Sequence, residues 1–504
     1  MFYFSKSKYC GLWQCPKIAW LMKYKPEERV LDDSAISRMK TGNEVGDLAM
    51  GLFGDYVEVT SYKEDKLDLP KMVAKTRREM EKGTSVICEA SFSYEGMYCA
   101  VDILKKEGDG WAIYEVKSSA MHQNQREVKP VYIADMAYQK YILEQCGVRV
   151  TGTYLVCING DYLFDGVLDL QQLFITTDVS ELIGIEEKNV ADNLAMAQNL
   201  LASEQEPPVD LSERCQDPYL CGFWGYCTRH LPSPSVFDLY RMPFKKKIEY
   251  YQKGESSFQA LQGSHSLKSE KQFRQIEYAL QDKGTYVEKE KIREFLKTLS
   301  YPLYFLDFET MQPVIPICIG TRPYAQIPFQ YSLHYVEKEG GELKHKEFLA
   351  ESGTDPRRAL AEQLCEDIPA NVCVLAYNMK FERGRIQELA EAFPDLATHL
   401  FSIRDRMKAL LVPFQSGFYY NRAMGGSFSI KSVLPAMFPG DPSLDYHHLE
   451  GVHNGSEAMD IFPQIQHMCP EEQRKARQNL LKYCEMDTYA MVKIWEELRS
   501  VAAE

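Results

Sequence analysis

Alternation between strand-like and helix-like segments is the feature that most restricts the fold of this chain. From Tyr301, strands and helices are predicted in the order YFLDFET, FQYSLHYVEKE, DPRRALAEQLCEDI, VCVLAYN and FERGRIQELAEAF. Strands are also predicted nearer the start, from ICEASFSYEG to WAIYEVKSS, and a helix follows them. Such alternation is typical of sheets covered by helices. We therefore predict an α/β protein.

Composition narrows the class of protein. The 504 residues have the apolar and charged fractions of an ordinary globular protein, and the net charge is −14. This charge argues against binding nucleic acid by overall attraction, although it is compatible with a local basic groove. No apolar run approaches the roughly 20 residues of a transmembrane helix, and the start lacks the pattern of a signal peptide. Most of the 14 cysteines are scattered through apolar stretches, so we expect a cytoplasmic protein with reduced thiols.

A proline- and serine-rich stretch marks the boundary between two regions. The segment HLPSPS, residues 230–235, reads as a linker, and charged helix-periodic segments follow it. We predict one domain over residues 1–235, a mostly helical connector over 236–300 and a second domain over 301–504.

Two carboxylates end the first predicted strand of the second domain. Asp307 and Glu309 are separated by one residue, so an extended chain points both to the same face. A divalent cation would turn their repulsion into attraction. Farther on, Glu382 follows a predicted strand, and Tyr483 and Asp487 lie one helical turn apart. Four converging carboxylates are able to hold two divalent ions for an in-line phosphoryl displacement.

These residues resemble a known family of nucleases. The matching motifs are Asp307 and Glu309, then Asn378, Phe381 and Glu382, then Tyr483 and Asp487. They resemble the three motifs of the DnaQ-like, RNase H-fold DEDD 3′-to-5′ exonucleases, in the subgroup with tyrosine in the third motif, although Glu382 replaces the usual aspartate. The resemblance implies Mg²⁺ or Mn²⁺ bound by the four carboxylates, with Tyr483 orienting or activating the attacking water. His453 is an alternative proton-handling group.

The first domain carries a second constellation of charged residues. Asp102 lies in one predicted strand, and Glu115 and Lys117 lie on one face of the next, with Val116 pointing away. Asp102, Glu115 and the Val116 carbonyl would bind Mg²⁺ or Mn²⁺. Lys117 would position the hydroxide or steady the charge that develops on phosphate. Glu89 is a further acidic candidate near this ion.

This pattern resembles the core of the PD-(D/E)XK nucleases. Gln139 matches the glutamine of the fourth motif in RecB-type members, which contacts the site, although Leu143 replaces the expected tyrosine. Gly46 stands where RecB-type enzymes usually carry a metal-binding histidine. Either Glu44 or Asp47 substitutes for it, or that ligand is missing.

Three cysteines follow at intervals of six residues. Cys215, Cys221 and Cys227, together with Cys15 near the start, resemble the iron–sulfur staple of the CRISPR-associated and AddB-like RecB-family nucleases. The resemblance implies a [4Fe-4S] cluster that ties the two ends of the domain together. Cys10 competes with Cys15 as the fourth ligand, and Zn²⁺ would suit the same four thiolates.

Taken together, the resemblances predict a protein with two nuclease centres. The expected substrate is DNA, single-stranded or with a free end, in repair, recombination or defence against foreign DNA. An RNA exonuclease is the alternative within the enzyme class. A nucleic-acid-binding scaffold with decayed sites is the alternative outside it.

Overall fold

The chain folds into two compact α/β units, so the predicted α/β class is confirmed. The computed structural model describes residues 4–124, 127–264 and 267–503. The first unit comprises Met1–His230 and Val314–Tyr324, and the second comprises Leu231–Pro313 and Ala325–Glu504. Within the described ranges, no helix has both the length and the apolar character that crossing a bilayer requires.

The first unit is built around one mixed sheet. The strands of that sheet are β1 (Phe4–Ser5), β2 (Val57–Glu58), β5 (Val86–Tyr94), β6 (Met97–Glu107), β7 (Gly110–Met121), β8 (Val150–Asn159) and β9 (Phe174–Asp178). Two short strands, β3 (Tyr62–Lys63) and β4 (Lys66–Leu67), form a separate two-stranded sheet. The helices of the unit are α1 (Lys6–Gln14), α2 (Pro16–Tyr24), α3 (Asp33–Ala49), α4 (Leu69–Lys82), α5 (Pro130–Gln145), α6 (Leu170–Leu173), α7 (Ser180–Glu186), α8 (Val190–Ala202) and α9 (Trp224–Thr228).

The sheet of the first unit has the order β2-β5-β6-β7-β8-β9, with β1 paired to β6. Neighbouring strands β5, β6 and β7 are antiparallel, whereas β7 and β8 are parallel. Alternate residues point to opposite faces, so Trp111 and Ile113 join one apolar cluster while Ala112 and Tyr114 join another. The central strands β6 and β7 therefore have an apolar cluster on each face.

A segment from far along the chain completes the first unit. Val314 is buried in the apolar cluster that contains Tyr114 and Val116. The hydroxyl of Tyr324 donates a hydrogen bond to the carbonyl of Ser118 in β7. The chain thus leaves the second unit after Pro313, contributes eleven residues to the first and then returns.

The second unit contains the remaining elements. Its strands are β10 (Thr285–Val287), β11 (Leu303–Met311), β12 (Ile327–Val336), β13 (Leu343–Leu349), β14 (Cys373–Ala376), β15 (Met407–Ala409) and β16 (Tyr419–Asn421). Its helices are α10 (Phe244–Gln252), α11 (Phe258–Gln262), α12 (Glu270–Leu280), α13 (Lys289–Leu296), α14 (Arg357–Asp367), α15 (Met379–Ala392), α16 (Ala397–Asp405), α17 (Val412–Ser416), α18 (Ile430–Met437), α19 (Gly455–Ile461) and α20 (Pro470–Ala503).

The main sheet of the second unit has β11 at its centre. The strand order is β13-β12-β11-β14-β15. Strand β12 is antiparallel to β11, whereas β14 and β15 run parallel to it. Leu306, Leu333 and Val374 from the three central strands are fully buried in one apolar cluster. The order reverses between β11 and β14, and the carboxyl ends of parallel strands at such a point form a crevice where ligands bind.

Candidate active sites

The carboxylates of the second unit lie at this crevice. Asp307 and Glu309 belong to the carboxyl-terminal half of β11. Glu382 lies in the first turn of α15, directly after β14, where the positive end of the helix dipole favours a carboxylate. The sheet thus brings together two motifs that are more than 70 residues apart in the sequence.

Helix α20 adds the third motif. It packs across β11 and β12, with the Cys484 thiol 3.9 Å from the carbonyl oxygen of Asp307. Tyr483 and Asp487 are buried on this helix. Asp307 interacts electrostatically with Asp487, Glu309 and Glu382. The structure therefore brings together all four carboxylates that the sequence singled out.

Burial raises the pKa of all four carboxylates, and repulsion by neighbouring carboxylates adds to the rise for Asp307 and Glu309. Burial is the largest cause for each, and it raises the pKa of Asp307 and Glu309 well above the ordinary range, with Asp487 adding to both. Burial raises the pKa of Glu382 to about 8 and that of Asp487 to about 6. Like charges in a desolvated site produce this pattern, and a bound cation would reverse it.

An unpartnered carboxylate oxygen is consistent with a cation at this site. Within the described part of the chain, Oε2 of Glu382 is buried without a hydrogen-bond partner. Such an atom is costly because nothing replaces its lost hydration. Single donor atoms of Asp307, Glu309 and Cys484 lie within 4.8 Å of one another. Carboxylate oxygens are the preferred ligands of Mg²⁺ and Mn²⁺, so the site is compatible with these ions.

Two functional candidates in this site were missed from the sequence. The Tyr446 hydroxyl donates to Oδ1 of Asp487 at 2.6 Å. The Lys431 ammonium lies 5.5 Å from the centre of the Tyr483 ring and favours the charged forms of Glu309 and Asp487. Both residues come from irregular or short helical segments that carry no periodic signal.

His453 lies beside the carboxylates but is engaged elsewhere. Its Nδ1 is 3.0 Å from Glu457, and its side chain is 42% exposed. The loop reaches the site at Gly455, where an added Cβ would lie 3.6 Å from Oε2 of Glu309. Together with Lys431 and Tyr446, His453 lines an adjoining cavity of about 500 Å³. This cavity offers space for a ligand next to the carboxylates.

In the first unit, the predicted acidic pair lies where two strands separate. The β6–β7 ladder ends at the pair Ile103 and Tyr114, so Asp102 and Glu115 follow directly after it. The backbone N–H of Val116 donates to Oδ2 of Asp102 at 2.7 Å. Val116 therefore orients Asp102 through its N–H group.

Two lysines neutralise this acidic pair. The Lys117 ammonium lies 2.6 Å from Glu115 and 2.7 Å from Asp135. The Lys6 ammonium lies 3.0 Å from Glu115 and 3.2 Å from Asp102. Burial disfavours both ammonium groups, but the neighbouring carboxylates outweigh it and raise the pKa of each well above the ordinary value. Lys6 thus lies between the two carboxylates that the sequence assigns to a metal ion.

Gln139 and Glu89 also join this cluster. The Gln139 amide donates to Glu115 at 2.7 Å and to Asp135 at 3.0 Å. Glu89 has a φ of 56° in the middle of β5, between the residues that pair with Val101 and Ile103, and such left-handed backbone is uncommon for residues other than glycine. Burial, with a smaller contribution from Asp102, raises the pKa of Glu89 to about 7. Asp135, four residues before Gln139 on the same helix face, was missed.

Two residues that differ from the RecB-type motifs, Leu143 and Gly46, lie in different environments. Leu143 is fully buried in the core. A Cβ built at Gly46 meets no described atom within 4 Å, so helix α3 has room for a side chain at this position. Glu44 lies near Tyr324, and its carboxyl pKa is raised by burial.

The four cysteines assigned to a cluster line one common cavity. Cys15, Cys215, Cys221 and Cys227 surround it, and the thiols of Cys15, Cys215 and Cys227 all raise the pKa of Cys221, although burial contributes more. Cys10 lies elsewhere, near the charged cluster, where burial raises the pKa of its thiol. Cysteines from both the start and the end of the first unit thus line this cavity, and Cys thiolates are the usual ligands of both [4Fe-4S] clusters and structural Zn²⁺. Among the described residues, no three of these four thiols lie within 4.8 Å of one another.

Part of the second unit matches a known protein family. Residues 304–429 match a family described as a domain of unknown function, DUF2779. The matched segment includes Asp307, Glu309 and Glu382 but ends before α20. The chain matches no curated protein.

Proposed function

We propose that this protein is a metal-dependent nuclease that hydrolyses DNA, with its principal centre in the second unit. One observation carries the proposal: four carboxylates from β11, α15 and α20 converge, of which Glu309, Glu382 and Asp487 are buried and Asp307 is partly buried, and the pKa of each is raised. A fold without bound cations or protons gains nothing from such repulsion. The resemblance to the DEDD exonucleases gives the reaction, the 3′-to-5′ direction and the expected RNase H-like fold of this unit.

Asp307, Glu309, Glu382 and Asp487 would hold the cations. Two divalent ions supply charge stabilisation for the phosphodiester and a hydroxide at neutral pH. Burial and the nearby Asp487 and Glu309 raise the pKa of Tyr483 far above the ordinary range. Its phenol thus stays protonated and is suited to orient a water by donating a hydrogen bond. Lys431 supplies the positive charge for a phosphate at the adjoining cavity.

The first unit would hold a second centre of the PD-(D/E)XK type. Asp102 and Glu115, with the Val116 carbonyl and Glu89 as further oxygen donors, would bind Mg²⁺ or Mn²⁺. Lys117 remains protonated and is suited to steady charge on the phosphate. Gln139 and Asp135 hold Lys117 and Glu115 in place through the hydrogen bonds described above. Lys6 must move aside before a cation can bind between the carboxylates.

We assign the four-cysteine cavity to a [4Fe-4S] cluster, with Zn²⁺ as the alternative. Cys15 lies at the start of α2, whereas Cys215, Cys221 and Cys227 follow the last long helix of the unit. A cluster there would hold the two ends together. Anaerobic purification, followed by an absorbance spectrum and iron and zinc analysis, distinguishes the two cofactors.

The nuclease assignment is tested with end-labelled single-stranded DNA and RNA of the same sequence. We expect cleavage with Mn²⁺ and none with EDTA. Asp307→Asn should remove the products shortened from the 3′ end, while the exposed Asp405→Asn should leave them unchanged. Lys117→Met should slow any remaining cleavage by about 10²- to 10³-fold, while the exposed Lys106→Met should not.

The competing functions give different results in the same assay. Faster degradation of RNA than of DNA would identify an RNA exonuclease. Binding of oligonucleotides with Mn²⁺ but without cleavage, unchanged by Asp307→Asn, would contradict the proposal and support a scaffold with decayed sites.

A further inference from the structure

A second group of metal-binding side chains lies on the other flank of α20. His334 of β12 and His345 of β13 are directly opposite each other in the ladder, with ring centres 4.5 Å apart. Nδ1 of His345 is 4.0 Å from Oε1 of Glu485 on α20. One donor atom from each of these three residues lies within 4.8 Å of the other two.

The surrounding hydrogen bonds are consistent with one placement of the ring protons. The Thr488 hydroxyl is 3.1 Å from the carbonyl of Glu485, which can only accept, so the hydroxyl donates there. Oγ1 of Thr488 then accepts from Nδ1–H of His334, at 2.8 Å, and from the Ser332 hydroxyl, at 2.7 Å. Since Ser332 has donated its proton, its oxygen accepts from Nε2–H of His345 at 3.0 Å. The lone pairs of the remaining nitrogens, Nε2 of His334 and Nδ1 of His345, are left for a ligand.

We propose that His334, His345 and Glu485 form a binding site for a divalent transition-metal ion, with Zn²⁺ as the expected occupant. Two neutral imidazoles and one carboxylate suit Zn²⁺ and disfavour Mg²⁺, which prefers oxygen ligands alone. The Thr488 and Ser332 hydroxyls hold the second nitrogen of each ring, as the outer partners of metal-binding histidines commonly do.

The site is open to solvent on one side. The side chains of His345 and Glu485 are 25% and 49% exposed, so an ion can enter and water can complete its coordination. Glu347, exposed on the same face of β13, interacts with both residues and supplies a further carboxylate. A bound ion would connect α20 to β12 and β13, close to Tyr483 and Asp487. The site uses none of the residues of the proposed nuclease centres, so a failure of one proposal does not contradict the other.

Zn²⁺ binding to the chelator-treated full-length protein tests the site. The titration uses a chromophoric competitor and excess Mg²⁺, which occupies the oxygen-only sites. We expect the wild-type protein to bind one more equivalent of Zn²⁺ than His345→Gln. The conservative, exposed change Glu485→Gln should weaken the same equivalent by at least about tenfold. The exposed His467→Gln is the matched control and should bind like the wild type.

Co²⁺ distinguishes this site from the cysteine cavity. The equivalent lost in His345→Gln should give weak visible bands without the intense near-ultraviolet absorption of cobalt–thiolate bonds. Circular dichroism checks that each variant is folded. If His345→Gln does not fold, the Zn²⁺ affinity of Glu485→Gln tests the site. Equal stoichiometry and affinity in the wild type and Glu485→Gln would overturn the proposal.

Discussion

The substitution Glu382→Gln should stabilise the metal-free protein in a way that grows with pH. In the unfolded chain this carboxyl loses its proton near 4.5, whereas in the folded protein it keeps the proton up to about 8. Between these values the unfolded state binds fewer protons at this group, so Glu382 alone lowers the unfolding free energy of the wild type by about 1.4 kcal/mol per pH unit. The raised pKa of Glu382 therefore leaves the unfolding free energy unchanged at low pH and lowers it by the largest amount above about pH 8.

The rise from 4.5 to about 8 corresponds to roughly 5 kcal/mol at high pH. Glutamine cannot ionise, so the Glu382→Gln variant escapes this loss. We expect its stability advantage over the wild type to be about 5 kcal/mol larger at pH 9 than at pH 4.5. Added Mn²⁺ should reverse the order, because it stabilises only the protein that keeps its ligands.

Denaturant titration in EDTA at several pH values measures this difference. Hydrogen exchange of peptides from β11 and α20, read by mass spectrometry, assigns the effect to the second unit. Glu391→Gln is the matched control, since Glu391 is exposed on the same helix. A stability difference between Glu382→Gln and the wild type that is the same at pH 4.5 and pH 9 would refute the reasoning.

Three further predictions concern the other candidate groups. Lys6→Met should raise the Mn²⁺ affinity of the first unit about tenfold in calorimetry. Its ammonium lies 3.0 Å from Glu115, and a unit charge at that distance is worth about 1.4 kcal/mol even in water. Cys215→Ser should abolish bound iron, or remove the equivalent of zinc held by the cysteine cavity, in metal analysis, whereas Cys469→Ser, at an exposed site, should retain it. Tyr483→Phe should lower kcat about 10²-fold on DNA with little change in oligonucleotide binding, and an unchanged kcat would exclude its role in orienting water.

Sequence patterns predicted those parts of the candidate sites that depend on local geometry. Asp307 and Glu309 share a strand face, and Tyr483 and Asp487 share a helix face, because these spacings match the strand and helix periods. The same reasoning would have predicted Asp135, since it lies four residues before Gln139 on one helix face. The strands and helices predicted from Tyr301 to Phe393 each overlap an element of the structure, because their apolar residues follow the strand or helix period.

What the sequence did not predict depends on distant contacts or on weak local patterns. Lys6 meets Asp102 across 96 positions, and Tyr446 meets Asp487 across 41, so no spacing rule connects them. Strand β13, with the sequence LKHKEFL, was missed because it is a mostly polar edge strand. Its alternation carries little of the apolar signal that identifies buried strands.

The eleven residues Val314–Tyr324 have a consequence for how the chain is made. The first unit lacks a piece of its core until residue 324 has left the ribosome, long after residue 230. A fragment that stops at His230 would leave a void where Val314 packs and would remove the Tyr324 hydroxyl from the carbonyl of Ser118. That carbonyl is one residue from Lys117, so truncation at His230 would disturb the strand that carries the first candidate site.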